Sequence, residues 1–191
     1  TASTFTSGSD TVTINGAGGN ETITGPDLAS TIIAGTGDDV IVAGTQNDII
    51  DGGAGDDRLT GGSGNDRYLF DTNDVASGER ITEASSGGTD TIAIVTTTDF
   101  SNILTSSFDE IEKIEFAGAN QTATVKGVQL TGETIDLTET AAGTSTLVIN
   151  VASGTTANFT NLSASSFTSG SDVLTINASG TANVTGPHFA T

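Results

Sequence analysis

Residues 34–69 divide into four consecutive nine-residue blocks, AGTGDDVIV, AGTQNDIID, GGAGDDRLT and GGSGNDRYL, in a single register. Each reads small–Gly–x–Gly–x–Asp–x–apolar–x, with one departure, Gln46 at the fourth position of the second block. A nine-residue period with glycine in the turn and aspartate at a fixed place predicts a parallel β-roll that binds calcium. The turn glycines permit positive φ and a close approach of backbone carbonyls. The sixth-position aspartates Asp39, Asp48, Asp57 and Asp66 then aim hard anionic oxygens into the same space, and calcium takes six to eight oxygens at about 2.3–2.6 Å. The eighth-position residues Ile41, Ile50, Leu59 and Tyr68 are expected to point inward as the core. The fold class this predicts is all-β, a right-handed parallel β-roll or β-solenoid with calcium-binding turns.

Charge supports the same reading from another side. The 191 residues carry 24 acidic against five basic side chains, a formal net charge of −19. Nucleic acid and anionic membrane surfaces need clustered lysine or arginine, so neither is an expected partner. High net charge with few aromatics is also the signature of disorder. Both descriptions are expected to hold in turn: without calcium the carboxylates repel and the chain stays largely unfolded, and with calcium they become ligands and the chain folds. No cysteine is present, so no disulfide cross-links the chain. No stretch approaches the roughly 18 apolar residues of a membrane-spanning helix, so membrane insertion is not expected. The opening residues show no basic-then-apolar signal segment and read as the interior of something longer.

A second, longer repeat organises the chain. FTSGSD at 5–10 recurs at 167–172, TIN at 13–15 recurs at 175–177, and TGP at 24–26 recurs at 185–187. Asp10 to Asp172 is 162 residues and Pro26 to Pro187 is 161, so the unit is about 160 residues long. Residues 163–191 thus repeat 1–31, and the parent protein is expected to be a tandem array of such units. Short apolar alternations around Val12, Ile135, Leu147 and Leu174 read as strands, with Thr, Gly, Ser and Asn supplying the turns. The nonapeptide pattern extends weakly upstream through 16–33, where Ile23 and Ile32 hold the inward position and Glu21 and Ser30 replace the aspartate. Beyond residue 118 apolar pairs recur every 12 to 13 residues, which predicts wider turns without regular metal ligands. The expected division is solenoid turns over 1–33, calcium-binding roll over 34–70, flanking turns over 71–118 and a plain β-solenoid over 119–191. A single helical turn is expected over 107–113.

The four blocks resemble the repeats-in-toxin (RTX) nonapeptides of exported bacterial toxins, proteases, lipases, adhesins and surface-layer proteins. Segments following them, GNDRYLF at 64–70, GERITE at 78–83, GTDTI at 88–92 and FDEIEKIEF at 108–116, resemble the stretch that follows such blocks in that family. The resemblance covers roughly 16–116. It implies that successive blocks alternate between the two edges of the roll, so that each calcium lies between one block and the next but one. Two complete sites follow, one with Asp39 and Asp57 and one with Asp48 and Asp66. It further implies carbonyl ligands from Gly35, Gly37, Gly53 and Gly55 on one side and Gly44, Gly62 and Gly64 on the other. Incomplete sites are implied beside them, pairing Asp57 or Asp66 with Glu79, Glu83 or Asp90. Asp38 and Asp56 are expected to add negative potential, and Gln46 to perturb the turn at 43–48.

Other chemistry finds little purchase. There is no zinc-binding His-Glu-x-x-His, no Gly-x-Ser-x-Gly elbow and no phosphate-cradling Gly-Lys-Ser/Thr loop. With no cysteine and one histidine, His188, nucleophilic triads and zinc sites are not expected. His188 reads as a solvated surface residue, Asp109, Glu110 and Glu112 as one solvated face, and Asp10 and Asp172 as turn residues bonding their own backbone. The chain is therefore expected not to be an enzyme. The function expected is a calcium-dependent structural module of a secreted bacterial surface protein, a rigid repeat unit in an adhesin or surface layer whose partners are calcium and neighbouring copies of itself. Two alternatives stand beside it. One is a module binding ice or carbohydrate; the ladder at positions three and five that ice binding needs is broken here by Ala54 and by charges at Asp38 and Asp56. The other is the calcium-binding export and folding tail of a secreted enzyme.

Overall fold

The computed structural model describes residues 11–85, 87–167 and 171–187. Alternation sets the first turns. In Ser30–Thr36 the inward side chains Ile32 and Ala34 are fully buried while Ile33 between them is exposed. Each following block repeats this with a short strand, Val40–Gly44, Ile49–Ala54, Arg58–Gly62 and Arg67–Phe70, the first three running into a glycine-rich turn.

Alternate strands go to opposite faces. One face is a parallel sheet of Val12–Asn15, Ser30–Thr36, Ile49–Ala54, Arg67–Phe70, Thr91–Ile94, Lys113–Phe116, Ile135–Glu139 and Leu162–Ala164. The second face stacks Thr22–Thr24, Val40–Gly44, Arg58–Gly62 and Arg80–Thr82. Pairing partners such as Thr31 and Ile49, or Val40 and Arg58, are 18 residues apart, so one turn of the roll consumes two nonapeptides. The expected inward residues Ile41, Ile50, Leu59 and Tyr68 are buried in a column between the faces. The fold is the all-β parallel roll that the period predicts.

Past residue 70 the turn widens. Paired residues are 24 apart at Arg67 and Thr91 and 27 apart at Ile135 and Leu162. The added length builds a third face from Thr98–Asp99, Thr122–Lys126, Thr146–Val151 and Val173–Ala178, and a two-stranded sheet from Thr156–Asn158 and Asn183–Thr185. A wider turn encloses more volume, and phenylalanines fill it: Phe70, Phe100 and Phe108 meet edge to face at 5.2 Å and 6.1 Å. In the narrow roll one branched aliphatic per face is enough, so the fit is tight. Replacing Ile50 with valine removes one buried methyl and is expected to cost about 1 kcal/mol, read from chemical denaturation in saturating calcium.

The helical turn is displaced from its expected place. A 3-10 turn spans Thr105–Phe108, and Asp109 is already extended. The reason is pairing: Lys113–Phe116 lies between Thr91–Ile94 and Ile135–Glu139 in the main sheet, which demands extended backbone there. The first copy of FTSGSD, the centre of the second (168–170) and His188 lie outside the described residues.

Candidate metal centres

Each sixth-position carboxylate sits immediately before a strand, at the corner where the chain passes from one face to the other. Two corners per turn give two files. Down one edge, the Glu21 N–H donates to Asp39 Oδ1 (2.7 Å), the Asp39 N–H to Asp57 Oδ1 (2.7 Å) and the Asp57 N–H to Glu79 Oε2 (3.0 Å). Down the other, the Ser30 N–H donates to Asp48 Oδ1 (2.7 Å), Asp48 N–H to Asp66 Oδ1 (2.8 Å), Asp66 N–H to Asp90 Oδ1 (2.8 Å) and Asp90 N–H to Glu112 Oε2 (2.8 Å). Each carboxylate therefore reaches back one turn and spends one oxygen on the backbone of its predecessor.

The second oxygen has no such partner. Asp39, Asp48, Asp57 and Asp66 Oδ2 and Glu79 Oε1 are buried without a hydrogen bond, on residues no more than 1 % exposed. A buried, unpaired anionic oxygen is costly unless a cation or donor meets it. Five such atoms at stacked corners are the chemistry of an oxygen-ligated divalent cation, and these residues fit calcium. At the downstream end, oxygens of Asp66, Glu83 and Asp90 all lie within 4.8 Å of one another. Asp66 Oδ2, Glu83 Oε1 and Tyr68 Oη converge on the side of Gly61 where any other residue would place a Cβ, and the Tyr68 hydroxyl donates to Glu83 Oε1.

Electrostatics follows from this crowding. Burial, opposed by the hydrogen bond each accepts from the preceding backbone and reinforced by the neighbouring carboxylates, pushes Asp57 and Asp66 up to about 6. The same causes push Glu79 up to about 9, with the charges of Asp57 and Asp74 acting on it most strongly. Glu83 rises to about 7 through burial and the charges of Asp90 and Asp66, against the Tyr68 hydrogen bond. Burial also raises Asp48 and Asp90. Without a cation, then, these groups hold protons more tightly in the folded roll than in the unfolded chain.

The glycines implied as carbonyl ligands line the same corners. Gly35, Gly37, Gly53 and Gly55 precede Asp39 and Asp57 on one edge, and Gly44, Gly62 and Gly64 precede Asp48 and Asp66 on the other; all seven have positive φ. At Gly53 (φ 80°) the backbone lies directly over the Gly35 carbonyl, where a Cβ would collide. Gly53→Ala is accordingly expected to cost about 1–3 kcal/mol and to raise the calcium concentration at the folding midpoint. Gln46 itself does not take positive φ, yet Asn47 and Asp48 still take their places in the stacks.

Fifth-position side chains do something the sequence alone did not disclose. Asp38 Oδ1 accepts from the Asp56 N–H (3.1 Å), Asp56 Oδ1 from Gly78 (3.0 Å), Asn47 Oδ1 from Asn65 (2.8 Å) and Asn65 Oδ1 from Thr89 (2.8 Å). These exposed groups reach forward one turn, opposite to the buried file. Glu112 was also hidden in what reads as an acidic face; only Asp109 and Glu110 of that run are exposed. The signal that locates it is a carboxylate two residues before an inward apolar residue, shared by Glu79 with Ile81, Asp90 with Ile92 and Glu112 with Ile114. Asp172, two before Leu174, follows it as well: its Oδ1 accepts from the Ser145 N–H (3.0 Å), 27 residues back, rather than only serving its own turn.

Residues 33–68 match the family model described as the RTX calcium-binding nonapeptide repeat, in four copies. No curated protein and no solved structure matches the chain. The matched residues hold four of the five half-satisfied carboxylates, Asp39, Asp48, Asp57 and Asp66, so over 33–68 the chain carries the RTX calcium-binding repeat pattern, wound into a parallel β-roll.

Proposed function

We propose that this chain is a non-catalytic structural module of a secreted bacterial surface protein, folding on extracellular calcium to serve as a stiff repeat unit in an adhesin or surface layer. The observation that carries the reading is the pair of carboxylate files, in which five buried acids each keep one oxygen for a cation. Low cytosolic calcium leaves the acidic chain unfolded and able to pass a one-step export channel; millimolar calcium outside neutralises the files and drives folding outward from 34–69. Small-angle scattering tests it. An unfolded chain of this length has a radius of gyration of about 47 Å and a folded one below about 20 Å. Calcium is expected to move the protein from the first value to the second, and a compact particle in chelator at neutral pH would overturn the reading.

An ice-binding surface finds less support, because the fifth-position groups that would face the lattice already accept hydrogen bonds from the next turn. The export tail of a secreted enzyme finds less support from the 160-residue recurrence, which such a tail does not need.

A further inference from the structure

The long repeat and the pairing of the last strands together specify how one unit follows another. Leu174, Ile176 and Asn177 stand in the repeat where Val12, Ile14 and Asn15 do, and Asn183, Val184 and Thr185 where Thr22, Ile23 and Thr24 do. This second copy of the opening segment forms the last turn of the solenoid. Val173–Ala178 pairs in parallel with Thr146–Val151, and Asn183–Thr185 with Thr156–Asn158. The Val173 N–H donates to Ser145 O (2.8 Å), Phe159 N–H to Thr185 O (2.9 Å) and Asn177 Nδ2 to Asn150 Oδ1 (3.0 Å). Leu174, Ile176 and Val184 pack on the core beneath them.

The equivalent strands at the other end have one side open. Among the described residues, Val12–Asn15 pairs only with Ser30–Thr36, and Thr22–Thr24 only with Val40–Gly44. Their inward residues Ile14 and Ile23 are only partly covered. The two ends of the solenoid are thus complementary: one presents the edge that the other's sequence is already seen to cover.

We propose that units of this sequence stack as one unbroken solenoid, the edge formed by Thr146–Val151 and Thr156–Asn158 of one copy carrying Val12–Asn15 and Thr22–Thr24 of the next. The register is Leu147 to Val12, Ile149 to Ile14 and Ala157 to Ile23, as seen for Leu174, Ile176 and Val184. This rests on the reading of the chain as a repeat unit and adds which faces continue. Val12–Asn15 opens the main sheet of its own unit, whereas its equivalent Val173–Ala178 lies on the third face. The third face of one unit therefore becomes the main sheet of the next, and the two-stranded sheet becomes its second face. The old main sheet stops at Leu162–Ala164, beside the packing of Phe167 on Phe116, ring centroids 5.4 Å apart. Each junction moves the calcium-bearing corners round the axis by one face.

A two-unit protein tests this: residues 1–187 continued directly by residues 27–191 of a second copy, because Pro187 stands where Pro26 does. Strand pairings from Val12 through Ser30, Ile49, Arg67, Thr91, Lys113 and the turn holding both Ile135 and Thr146 to Val173 make seven steps, or about 34 Å at about 4.8 Å per step. In saturating calcium, small-angle scattering is expected to show a maximum dimension about 34 Å longer than the single chain at the same cross-section. Two units hinged about a flexible joint would overturn the proposal. In the same protein Ile176→Asp is expected to produce that hinge, and an unchanged rod would place the junction elsewhere. Calcium dependence of the single chain, measured alongside by circular dichroism, separates the two claims. A single chain that folds on calcium while the two-unit protein hinges rejects the stacking alone. A single chain indifferent to calcium, with the 34 Å gain intact, rejects the calcium switch alone.

Discussion

In a chelator at pH 8 the chain is expected to lose its β-sheet circular dichroism, and acidification to about pH 5 in the same chelator is expected to restore part of it. The first half follows from Coulomb repulsion within the files. Neighbouring carboxylates one strand spacing apart, about 4.8 Å, repel by about 3 kcal/mol at an effective dielectric constant of 20. Glu21 to Glu79 and Asp48 to Glu112 hold six such neighbour pairs. Fully charged, they outweigh the roughly 5–15 kcal/mol that a domain of this kind has in hand. Calcium bound between successive acids is expected to remove that penalty, since each ion brings two positive charges.

Protons remove it too, which fixes the sign of the second half. The folded, calcium-free form holds Asp57 and Asp66 at about 6, Glu83 at about 7 and Glu79 at about 9, whereas unfolded carboxylates titrate near 4. Between those values the folded form binds more protons than the unfolded one, so stability is present in acid and is lost as pH rises through the folded values. This is the reverse of ordinary acid denaturation. With calcium present the same protons compete for the same oxygens, so the calcium midpoint is expected to rise as pH falls below about 6. Complete sheet signal in chelator at pH 8, or further loss on acidification, would contradict this account.

The second large effect is expected at Asp57, which serves two corners at once. Its Oδ1 accepts from Asp39, its own N–H donates to Glu79, and its Oδ2 is left for a cation. Asp57→Ala removes a charge-assisted hydrogen bond of about 1.5–3 kcal/mol together with a ligand on either side. The calcium midpoint for folding is expected to rise by about a hundredfold or more, at about 1.4 kcal/mol per tenfold. Asp57→Asn separates the roles, since the amide oxygen keeps the backbone bond while the charge is gone. It is expected to weaken calcium about tenfold and to make the calcium-free fold more tolerant of neutral pH. Asp38→Asn, an exposed forward-reaching group, is the control and is expected to change the midpoint by less than about threefold. Equal effects at 38 and 57 in a calcium titration followed by circular dichroism would show that the buried file has no special hold on the ion.

These files were readable in the sequence where the period is short and repeated. Asp39, Asp48, Asp57 and Asp66 stand at the same place in four copies, and Ile41, Ile50, Leu59 and Tyr68 two residues later fix the direction of every side chain between. Glu112 and Asp172 hold the same structural place but stand outside the nonapeptide period, so local chemistry offers an equally good turn or solvated face. That the strands around Leu147 and Leu174 belong to faces of their own was hidden for a different reason. Strands as short as Thr98–Asp99 and Thr156–Asn158 show no alternation, and their existence depends on how much core the phenylalanines require. The fifth-position ladder was legible only as polarity, because its hydrogen bonds need the neighbouring turn to be in place.

The rungs of this solenoid are stacked along its axis, and a load applied at the two ends meets them in series. Tension would then release the protein one turn at a time, in pieces that grow from the roll to the wide turns. A turn of the roll frees 18 residues, about 55 Å of extended chain beyond its own thickness, whereas the widest turn frees 27, nearer 85 Å, taking about 3.4 Å per residue. The residues that match the calcium-binding repeat lie in turns of the first kind. An anchored array of such units would yield first in its broad, metal-free turns and keep its metal-locked segments in reserve, a tether that absorbs a pull in graded steps.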